Sequence, residues 1–481
     1  MRCHFLCEPE LEFGSGNHID IRFGLSRCGP LDFANGRGLD RARLGIIGDQ
    51  QSVTNFRTWL DKCRDGIEAK ASPLHTLFPA FPGFGAGRTF CDFTADETSC
   101  RAINSRDCKQ LEIINNRDEL VRVSVECFIG EAADLLETVK CDVVLFLPWT
   151  DLLARIDTGK DPKQPMPRSR YEERPQRSVV WHDLLKAKAM SLKVPIQVCR
   201  PATYGGKVHR FTLDGTPKKD VEDEASRAWN FFSALYYKAG GIPWRLPRKS
   251  SDLTTCFVGV SYFHPVEADS VQASVAQVFN ERGEGVVVRG GQALVEKPDR
   301  SLHLDEGTAA GLLRNALESY RKNHRTLPAR VVCHKSRYFD EGEIAGFEKA
   351  AQELNIDQLD LLSLRRSSMR FFRNKPNPPL RGTAIELDDR RALIYTQGSV
   401  DFYRCYPGMR VPRPLEVSFD RVDSSSLPLL EEIMALTKMN WNSTRFNNTE
   451  PITLAAARNV GEVLRYTEEK QEINARYSYY M

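Results

Sequence analysis

The 481-residue sequence lacks a long hydrophobic run, since no stretch approaches the roughly 18 to 20 unbroken apolar residues that a bilayer-spanning helix needs. Its first residues, MRCHFLCEPELEFG, contain no apolar core of the length found in secretory signal peptides, and they soon turn acidic. The composition, 41% hydrophobic and 27% charged, is typical of an ordinary globular protein. We therefore expect a cytoplasmic protein with no membrane partner.

Paired cysteines and a strong net charge are also missing. The 13 cysteines include no CxxC pair, so the usual spacing of zinc ligands is absent and we expect reduced thiols. The formal net charge is only +3, which excludes a strongly basic protein but leaves room for a local basic channel. The sequence contains no internal repeat, and its length favours about three folded units.

Alternating strand and helix patterns begin early in the chain. Residues 1–110 form an N-terminal segment, in which RLGIIGDQQSVTNF has the pattern of a strand, a turn and a helix. A stretch rich in proline and glycine follows, with Gly83, Gly85 and Gly87. Their spacing is not that of a dinucleotide-binding loop, so a plain turn is favoured over a phosphate cradle.

Two α/β units are predicted beyond this segment. The unit at 111–250 contains an apolar strand at Val143–Leu147, a polar surface loop at 156–178, and then a helix (WHDLLKAKAM), a strand (VPIQVCR) and a helix (EASRAWNFFSALYYKAGG). The unit at 251–481 starts with the strand TTCFVGVSYF and ends with two helical patterns. Alternation of this kind predicts an α/β fold.

The run WHDLLKAKAM carries a candidate anion site. His182 and Lys186 are four residues apart and share one helical face, whereas Lys188 lies on another face. Gln197 in the next strand supplies an amide, and Lys238 ends the next helix before a Gly-Gly pair. These groups suit a doubly charged phosphate, because charge-assisted hydrogen bonds are strong. The alternative is that both lysines are ordinary solvated helix residues.

The segments HDLLKAKAM, VPIQV and YYKAGGIPW, in this order, resemble the MID domain of Argonaute proteins, and most closely that of the short prokaryotic Argonautes. FGLSRCGPLDF and LFPAFPGF are similar to the family's N-terminal segment, and TTCFVGVSYF, RVVCHKSRYF and PITLAAARNVGEVL are similar to its PIWI domain. The resemblance covers most of the chain. It implies a Rossmann-like MID domain at 111–250 and a ribonuclease-H-like PIWI domain at 251–481, with residues 1–110 packed on them.

The resemblance also implies a role for the candidate anion site. In the family a histidine or tyrosine, a lysine, a glutamine and a second lysine hold the 5′ phosphate of a guide strand. The corresponding residues here are His182, Lys186, Gln197 and Lys238. A Mg²⁺ ion is implied between the first guide phosphates and the carboxylate of Met481, a ligand pair that suits a hard cation. Arg200 and Thr203 are predicted to lie near the guide's 5′ base.

The same resemblance implies that the PIWI domain is catalytically inactive. Slicing members hold two Mg²⁺ ions with four acidic or histidine side chains, and the metals clamp the attacking and leaving oxygens. At three of these positions the sequence offers Ser261, Lys335 or its neighbours, and Ala456. A serine, a lysine and an alanine cannot hold two divalent cations, and a lysine would repel them. We therefore expect no enzyme activity from this chain.

An inactive short Argonaute implies recognition without cleavage. Members of this type use a small 5′-phosphorylated guide RNA to recognise single-stranded DNA of plasmids or phages, with base pairing reading the sequence. Their heterodimeric partner is an APAZ chain with an effector, commonly a sirtuin-like or TIR domain that depletes NAD and sometimes a nuclease. Higher oligomers on activation are a further expectation. A slicing Argonaute with unusual metal ligands and an unrelated α/β protein are the alternatives.

Overall fold

The computed structural model describes residues 1–85, 89–157, 179–205, 222–247, 252–266, 272–279, 285–295, 302–372, 374, 377–408, 411–468 and 473–481. Gly87 and all but the first two residues of the predicted loop at 156–178 lie outside these ranges. No helix within them is long and apolar enough to cross a membrane.

Strands and helices alternate through most of the described chain. The strands are β1 (Arg2–Phe5), β2 (Leu11–Glu12), β3 (Asn17–His18), β4 (Arg41–Gly48), β5 (Asp92–Thr94), β6 (Cys100–Ala102), β7 (Val143–Leu147), β8 (Ile196–Val198), β9 (Thr255–Phe263), β10 (Gln272–Phe279), β11 (Gly285–Gln292), β12 (Leu294–Val295), β13 (Leu302–His303), β14 (Arg330–Lys335), β15 (Gln358–Arg366), β16 (Thr383–Asp388), β17 (Arg391–Ile394) and β18 (Leu415–Arg421). The helices are α1 (Ile21–Cys28), α2 (Gln50–Asp65), α3 (Ser105–Ile113), α4 (Arg117–Thr138), α5 (Thr150–Ile156), α6 (Trp181–Ala189), α7 (Pro201–Tyr204), α8 (Glu224–Lys238), α9 (Glu306–His324), α10 (Glu341–Glu353), α11 (Ser426–Leu436) and α12 (Ile452–Leu464).

Several of the longer helices begin where the sequence places an aspartate or asparagine. The side chain of this residue accepts a hydrogen bond from a main-chain N–H of the first turn, which would otherwise have no partner in the helix. The capping residues of α2, α4, α8, α9 and α10 are Asp49, Asn116, Asp223, Asp305 and Asp340.

Nine strands of the described chain form one large sheet in the order β1-β16-β17-β18-β15-β14-β9-β10-β11. In it β10 is antiparallel to β9 and β11, whereas β14 is parallel to both β9 and β15. The order β11-β10-β9-β14-β15 with this pattern of directions is that of the ribonuclease-H fold. The other four strands extend it by antiparallel pairing.

The side chains of this sheet alternate between two faces, as the pleat of a strand requires. On one face Val258 of β9 and Cys333 of β14 pack in a core with α9 and α10. On the other face Phe257 and Val332 belong to a core that includes α11 and α12. α12 approaches the main chain of β9 at Gly259, where an added Cβ would lie 2.0 Å from the carbonyl oxygen of Thr453.

The smaller sheet is parallel and has the order β5-β4-β7-β8, with β6 also paired to β4. All five residues of β7 are buried, as predicted for a strand that is covered on both faces. One face packs against α2 and α8, and the other against α4 and α6. This three-layer arrangement is the predicted Rossmann-like unit.

The N-terminal segment does more than pack on the two units, because it contributes one strand to the large sheet and three to the small one. β1 pairs with β16 at one edge of the large sheet, and β4 lies between β5 and β7 in the small one. The buried ammonium of Lys438 further ties the segment to the end of α11, through bonds to Ile19 O (2.6 Å) and Glu8 Oε1 (3.1 Å). The boundary drawn at residue 110 therefore crosses a continuous sheet.

Candidate anion-binding site

Three elements of the smaller unit carry the four residues predicted to bind an anion. α6 holds His182 and Lys186, β8 holds Gln197, and Lys238 is the last residue of α8. The predicted helix, strand and helix are therefore confirmed. The chain leaves α8 through Gly240, whose φ of 100° lies in the region that favours glycine.

Lys238 lies at the centre of the site. Its Nζ donates to Gln197 Oε1 at 2.7 Å, to the carbonyl oxygen of Ile196 at 2.7 Å and to the main-chain oxygen of Met481 at 2.8 Å. Met481 is buried, with 3% of its surface exposed. The structure therefore brings together three residues that are far apart in the sequence, Gln197, Lys238 and Met481.

Lys186 approaches the same segment from α6, and its Nζ donates to the carbonyl oxygen of Tyr480 at 3.0 Å. Lys186 and Lys238 are only 5% and 4% exposed. Burial lowers the pKa of Lys186 to about 8, and burial together with the charge of Lys186 holds the pKa of Lys238 well below its ordinary value. Neither lysine forms an ion pair with a side-chain carboxylate of the described chain. Two ammonium groups thus face at most one carboxylate, that of Met481, so positive charge is in excess and favours the arrival of an anion.

His182 lies at the rim of the site, with 41% of its side chain exposed. The charge of Lys186 and, next, burial lower the pKa of His182 to about 4, so the ring is neutral at pH 7. Its Nδ1–H donates a hydrogen bond to Asp183 Oδ1 at 2.9 Å. Nε2 is then an acceptor, and it donates to a phosphate oxygen only after protonation, which the phosphate charge itself favours.

Arg200 and Thr203 lie at α7, just after β8. Arg200 forms an ion pair with Asp157 at 2.8 Å, and 39% of its side chain is exposed. The main-chain N–H of Thr203 donates to Arg200 O at 2.8 Å. No hydrogen bond of the described chain joins either side chain to the anion site, so their contact with a guide base stays a prediction.

The residues around Met481 fit a metal ion only in part. Nowhere in the described ranges do three or more His, Cys, Asp or Glu side chains converge as metal ligands. Close to Met481 are two ammonium groups and Gln197, whose amide oxygen already accepts from Lys238. Because Mg²⁺ prefers six oxygen ligands, these residues suit it only when phosphate and water oxygens complete the coordination.

The three positions predicted to replace slicer ligands do not share one face of the large sheet. Ser261 follows the alternation of Phe257 and lies on the face covered by α12, where Ala456 is buried at 1% exposure. Lys335 follows Cys333 and lies on the opposite face. Its neighbour His334 is the β14 residue on the Ser261 face, with Nδ1 2.8 Å from Thr453 Oγ1.

Lys335 belongs to a closed ion pair with Glu343, in which the two side chains are 0% and 1% exposed. Its Nζ lies 2.7 and 2.6 Å from the carboxylate oxygens. Glu343 also accepts from Leu304 N (3.0 Å), Tyr262 Oη (2.9 Å) and Asp340 N (3.1 Å). Burial lowers the pKa of Lys335, whereas the carboxylate opposes this change. Glu343 also completes the capping box of α10 with Asp340, and its pair with Lys335 leaves no net charge for a ligand.

Sequence reasoning missed the main-chain oxygens of Ile196 and Tyr480, which accept hydrogen bonds from the two buried lysines. Every residue has a main-chain oxygen, so the residue type does not indicate which of these oxygens meets a lysine. The run YSYYM indicates a packed end of the chain, but it does not indicate which atoms meet the lysines.

No protein-family model and no curated protein sequence matches this chain. Solved structures do match its fold. The Argonaute of Clostridium butyricum, bound to a guide DNA and a 19-mer target DNA, aligns with a TM-score of 0.60 and 15% identity over 97% of this chain and 53% of its own. Drosophila Piwi aligns with a TM-score of 0.61 and 15% identity over 99% and 56%.

The Argonaute of Marinitoga piezophila, in complex with a 5′-hydroxyl guide RNA, aligns with a TM-score of 0.56 and 12% identity over 100% of this chain and 59% of its own. The chain thus spans little more than half the length of these proteins. At such identities the likeness is one of fold. The parallel sheet and the ribonuclease-H-like sheet give this chain the α/β architecture of the MID and PIWI domains of Argonaute and Piwi proteins.

Proposed function

We propose that this chain binds the 5′ phosphate of a guide strand and uses the guide to recognise a complementary nucleic acid. The observation that carries the proposal is the pair of buried cations, Lys186 and Lys238, which no side-chain carboxylate of the described residues neutralises. Complexes of proteins with the same fold support it, since they contain guide DNA or guide RNA. A 5′-hydroxyl guide, as in the Marinitoga complex, would bring no terminal phosphate to either lysine here.

In this proposal each residue of the site has a distinct task. Lys186 and Lys238 neutralise the phosphate, and their ammonium groups exchange main-chain oxygens for phosphate oxygens. Gln197, whose Nε2 now donates to Val198 O at 3.0 Å, offers an uncharged donor. His182 takes up a proton as the dianion binds. Mg²⁺, if bound, would be held by the carboxylate of Met481 together with guide phosphates, and would supply further positive charge.

The test compares guides that differ only at the 5′ end. Lys186→Ala and Lys238→Ala should each weaken binding of a 5′-phosphorylated guide, because a lost charged hydrogen bond costs about 1.5 to 3 kcal/mol, or roughly 10- to 150-fold. Lys188→Ala is the matched control, since Lys188 lies exposed on the same helix. Dissociation constants for 5′-phosphate and 5′-hydroxyl guides give the readout. Equal losses for both guides would contradict a phosphate site.

We further propose that the guide is a small RNA, that the target is single-stranded DNA, and that this chain does not cleave it. The resemblance to short prokaryotic Argonautes supports the nucleic acids. Ser261 and Ala456 share one face of the large sheet with His334 of β14, and this set supports the absence of cleavage because none of the three is an acidic metal ligand. A labelled target incubated with guide-loaded protein and Mg²⁺ or Mn²⁺ should stay intact. A single guide-dependent cut that is lost in a Ser261→Ala variant would show an active site.

The effector activity is proposed to reside in a partner chain with an APAZ region, most often a sirtuin-like or TIR enzyme that consumes NAD. The resemblance supports this partner, because a target-binding chain without catalysis needs a second activity to report binding. Coexpressed with the neighbouring reading frame, the chain should copurify as a one-to-one heterodimer. NAD should then fall only when guide RNA and complementary DNA are both present. Retained protection of cells after deletion of the neighbour would contradict the partner, and DNA loss in place of NAD loss would indicate a nuclease.

A further inference from the structure

A cavity lies on the face of the large sheet that carries α10, beside the turn that joins β16 to β17. One wall is the segment between β14 and α10 together with the first turn of α10, the other is the β16–β17 turn, and β18 forms the floor. The volume is about 620 Å³, within the range of about 300 to 1,000 Å³ that is typical of small-molecule sites. The cavity is therefore large enough for a small organic ligand.

Ser418 is the buried polar group of the floor. Its neighbours Val417 and Phe419 pack in the core that includes α11 and α12, so the alternation of the strand turns Ser418 towards the cavity. Ser418 is only 4% exposed, and its Oγ has no hydrogen-bond partner in the described chain. Buried polar groups of native proteins are nearly always hydrogen-bonded, so this hydroxyl indicates that the cavity receives a polar group.

Asp420 brings an unmatched charge to the same floor, two residues along β18. Its carboxylate accepts hydrogen bonds from Ser363 Oγ and from the main-chain N–H of Phe339, which are both uncharged donors. The side chains of Lys335 and Arg365 lie near it, but each already forms an ion pair with a glutamate. Burial raises the pKa of the Asp420 carboxyl, as expected for a charge whose neighbours neutralise it poorly.

Negative charge exceeds positive charge around the cavity. Its lining has the three carboxylates of Asp388, Asp389 and Asp420 and the two guanidinium groups of Arg390 and Arg391, so one negative charge is in excess. Asp388 and Arg391 neutralise each other in an ion pair of 2.7 Å. Arg390 at the exposed rim can offset only one of the two remaining carboxylates. The cavity therefore favours a cation.

An organic ammonium group fits this lining better than a metal ion does. Among the residues that the structure describes, no three His, Cys, Asp or Glu side chains converge as metal ligands. An ammonium group has three N–H donors, so it can bond to the Asp420 carboxylate and to Ser418 Oγ together. Phe339 and Ile344 in the wall offer apolar contact to an alkyl chain, and Asp389 at the exposed rim can accept from a second ammonium group.

We propose that this cavity binds an aliphatic diamine, with one ammonium group on Asp420 and Ser418 Oγ and the other on Asp389. The inference goes beyond the proposed function and does not depend on it, because neither the anion site nor a nucleic acid takes part. A bound diamine would join the segment before α10 to β18. Since only the folded chain has this cavity, binding would stabilise the fold by mass action.

The test measures binding of putrescine to the whole guide-free chain at constant ionic strength, by calorimetric titration and by the melting temperature. Binding should saturate at one equivalent and raise the melting temperature. Asp420→Asn keeps an oxygen that accepts from Ser363 but removes the charge, so it should weaken putrescine binding about tenfold or more. Glu137→Gln is the matched control, because this exposed glutamate lies on α4 of the smaller unit.

Two further variants and a second amine separate the roles of the residues. n-Butylamine has one ammonium group, so Asp389→Asn should weaken putrescine binding several-fold and leave butylamine binding unchanged. Ser418→Ala should weaken binding of both amines, whereas the free chain should stay at least as stable, because the lost hydroxyl has no partner. A serine with a purely structural role would lose stability instead. Ser418→Ala also decides the question if Asp420→Asn does not fold.

The proposal is overturned if putrescine shows no saturable binding, or if Asp420→Asn and Glu137→Gln change its affinity equally. Stabilisation by KCl that equals stabilisation by putrescine at the same ionic strength would also overturn it, because general screening of acidic groups would then explain the effect. Unchanged amine affinity in Ser418→Ala would remove the orphan hydroxyl from the site and contradict the proposed geometry.

Discussion

Lys186 and Lys335 are both buried lysines, one in each unit, and they differ in what surrounds their charge. Lys335 faces a carboxylate that is itself held by three further donors, so its charge is matched within the protein. Lys186 donates to the carbonyl oxygen of Tyr480, and its nearest cationic neighbour in the site is Lys238. Burial alone therefore does not identify a binding site. The charge of the partners does, because only the unmatched lysine gains from an incoming anion.

The same contrast separates two arginine clusters of the large sheet. Arg330, 9% exposed, is bonded to both Asp360 and Glu432, so acids outnumber the cation. Arg366 and Arg458 share Glu450, so cations outnumber the acid, and both remain exposed. The first cluster joins β14, β15 and α11 inside the fold. The second leaves positive charge at a sheet edge.

The largest effect is expected from breaking the closed pair. Glu343→Gln leaves the charge of Lys335 buried without a counter-charge, and such a loss costs about 3 to 5 kcal/mol of unfolding free energy. Urea unfolding of the variant measures this change. The double variant Lys335→Met/Glu343→Gln should recover much of it, since no uncompensated charge remains. A loss of less than about 1 kcal/mol of unfolding free energy in Glu343→Gln would contradict the interpretation that the protein itself neutralises the charge of Lys335.

A strong pH dependence is expected at the open site. The pKa of Lys186 is about 8 in the free chain, and a bound phosphate raises it, so affinity for a 5′-phosphorylated guide should fall as pH rises through 8. The fall can reach tenfold per pH unit for one proton. Binding of a 5′-hydroxyl guide should stay flat, and Lys188→Ala should match the unmodified chain. A parallel decline for both guides would point to another titrating group.

The same shift in Lys186 has the opposite sign for stability. The pKa of Lys186 is about 8 in the folded chain, below its ordinary 10.5, so the unfolded chain holds the proton more tightly. The free energy of unfolding therefore increases as pH rises from 8 towards 10.5. Lys186→Met should therefore change stability by no more than about 1 kcal/mol, because burying an unmatched cation offsets the lost hydrogen bond. Thermal or urea unfolding at pH 7 tests this. A cost as large as that of Glu343→Gln would show that the lysine is structural.

The smallest effect is expected from Arg200→Ala. Both side chains of its ion pair with Asp157 are exposed to solvent, and such pairs contribute roughly 0 to 1 kcal/mol to stability. We expect unchanged stability and a shift in 5′-base preference of less than about tenfold, measured with four guides that differ in the first base. Thr203→Val is the companion variant. Unchanged preference in both would remove these residues from the base site.

Local patterns predict the elements of the site well. The four-residue spacing of His182 and Lys186 defines a helix face, and α6 carries both. The apolar run at Val143–Leu147 predicts a strand buried on both faces, and β7 is buried throughout. Both signals depend on neighbours within a few residues, which the sequence shows directly.

Contacts between distant residues are not predictable in this way. The sequence pattern places β4 in the N-terminal segment, but its pairing with β7 joins residues about a hundred positions apart. The oxygens of Tyr480 and Ile196 reach the lysines through tertiary packing alone. For Lys335 the alternation of β14 contains the missing information. Side chains of a strand alternate between two faces with a period of two, and this places Lys335 on the face opposite Ser261. A comparison of sequence positions alone does not take this alternation into account.

The contact between Gly259 and Thr453 fixes the position of α12 on β9. Because a Cβ at Gly259 would meet the main chain of the helix, the helix and β9 are in backbone contact, and α12 cannot roll or slide without a clash. The distance from α6 to Glu450 is then set by a count of residues. One residue inserted after Arg458 would rotate the following turns by about 100° and advance them by about 1.5 Å. The separation of Glu450 from the candidate anion site is therefore determined by the number of residues in α12.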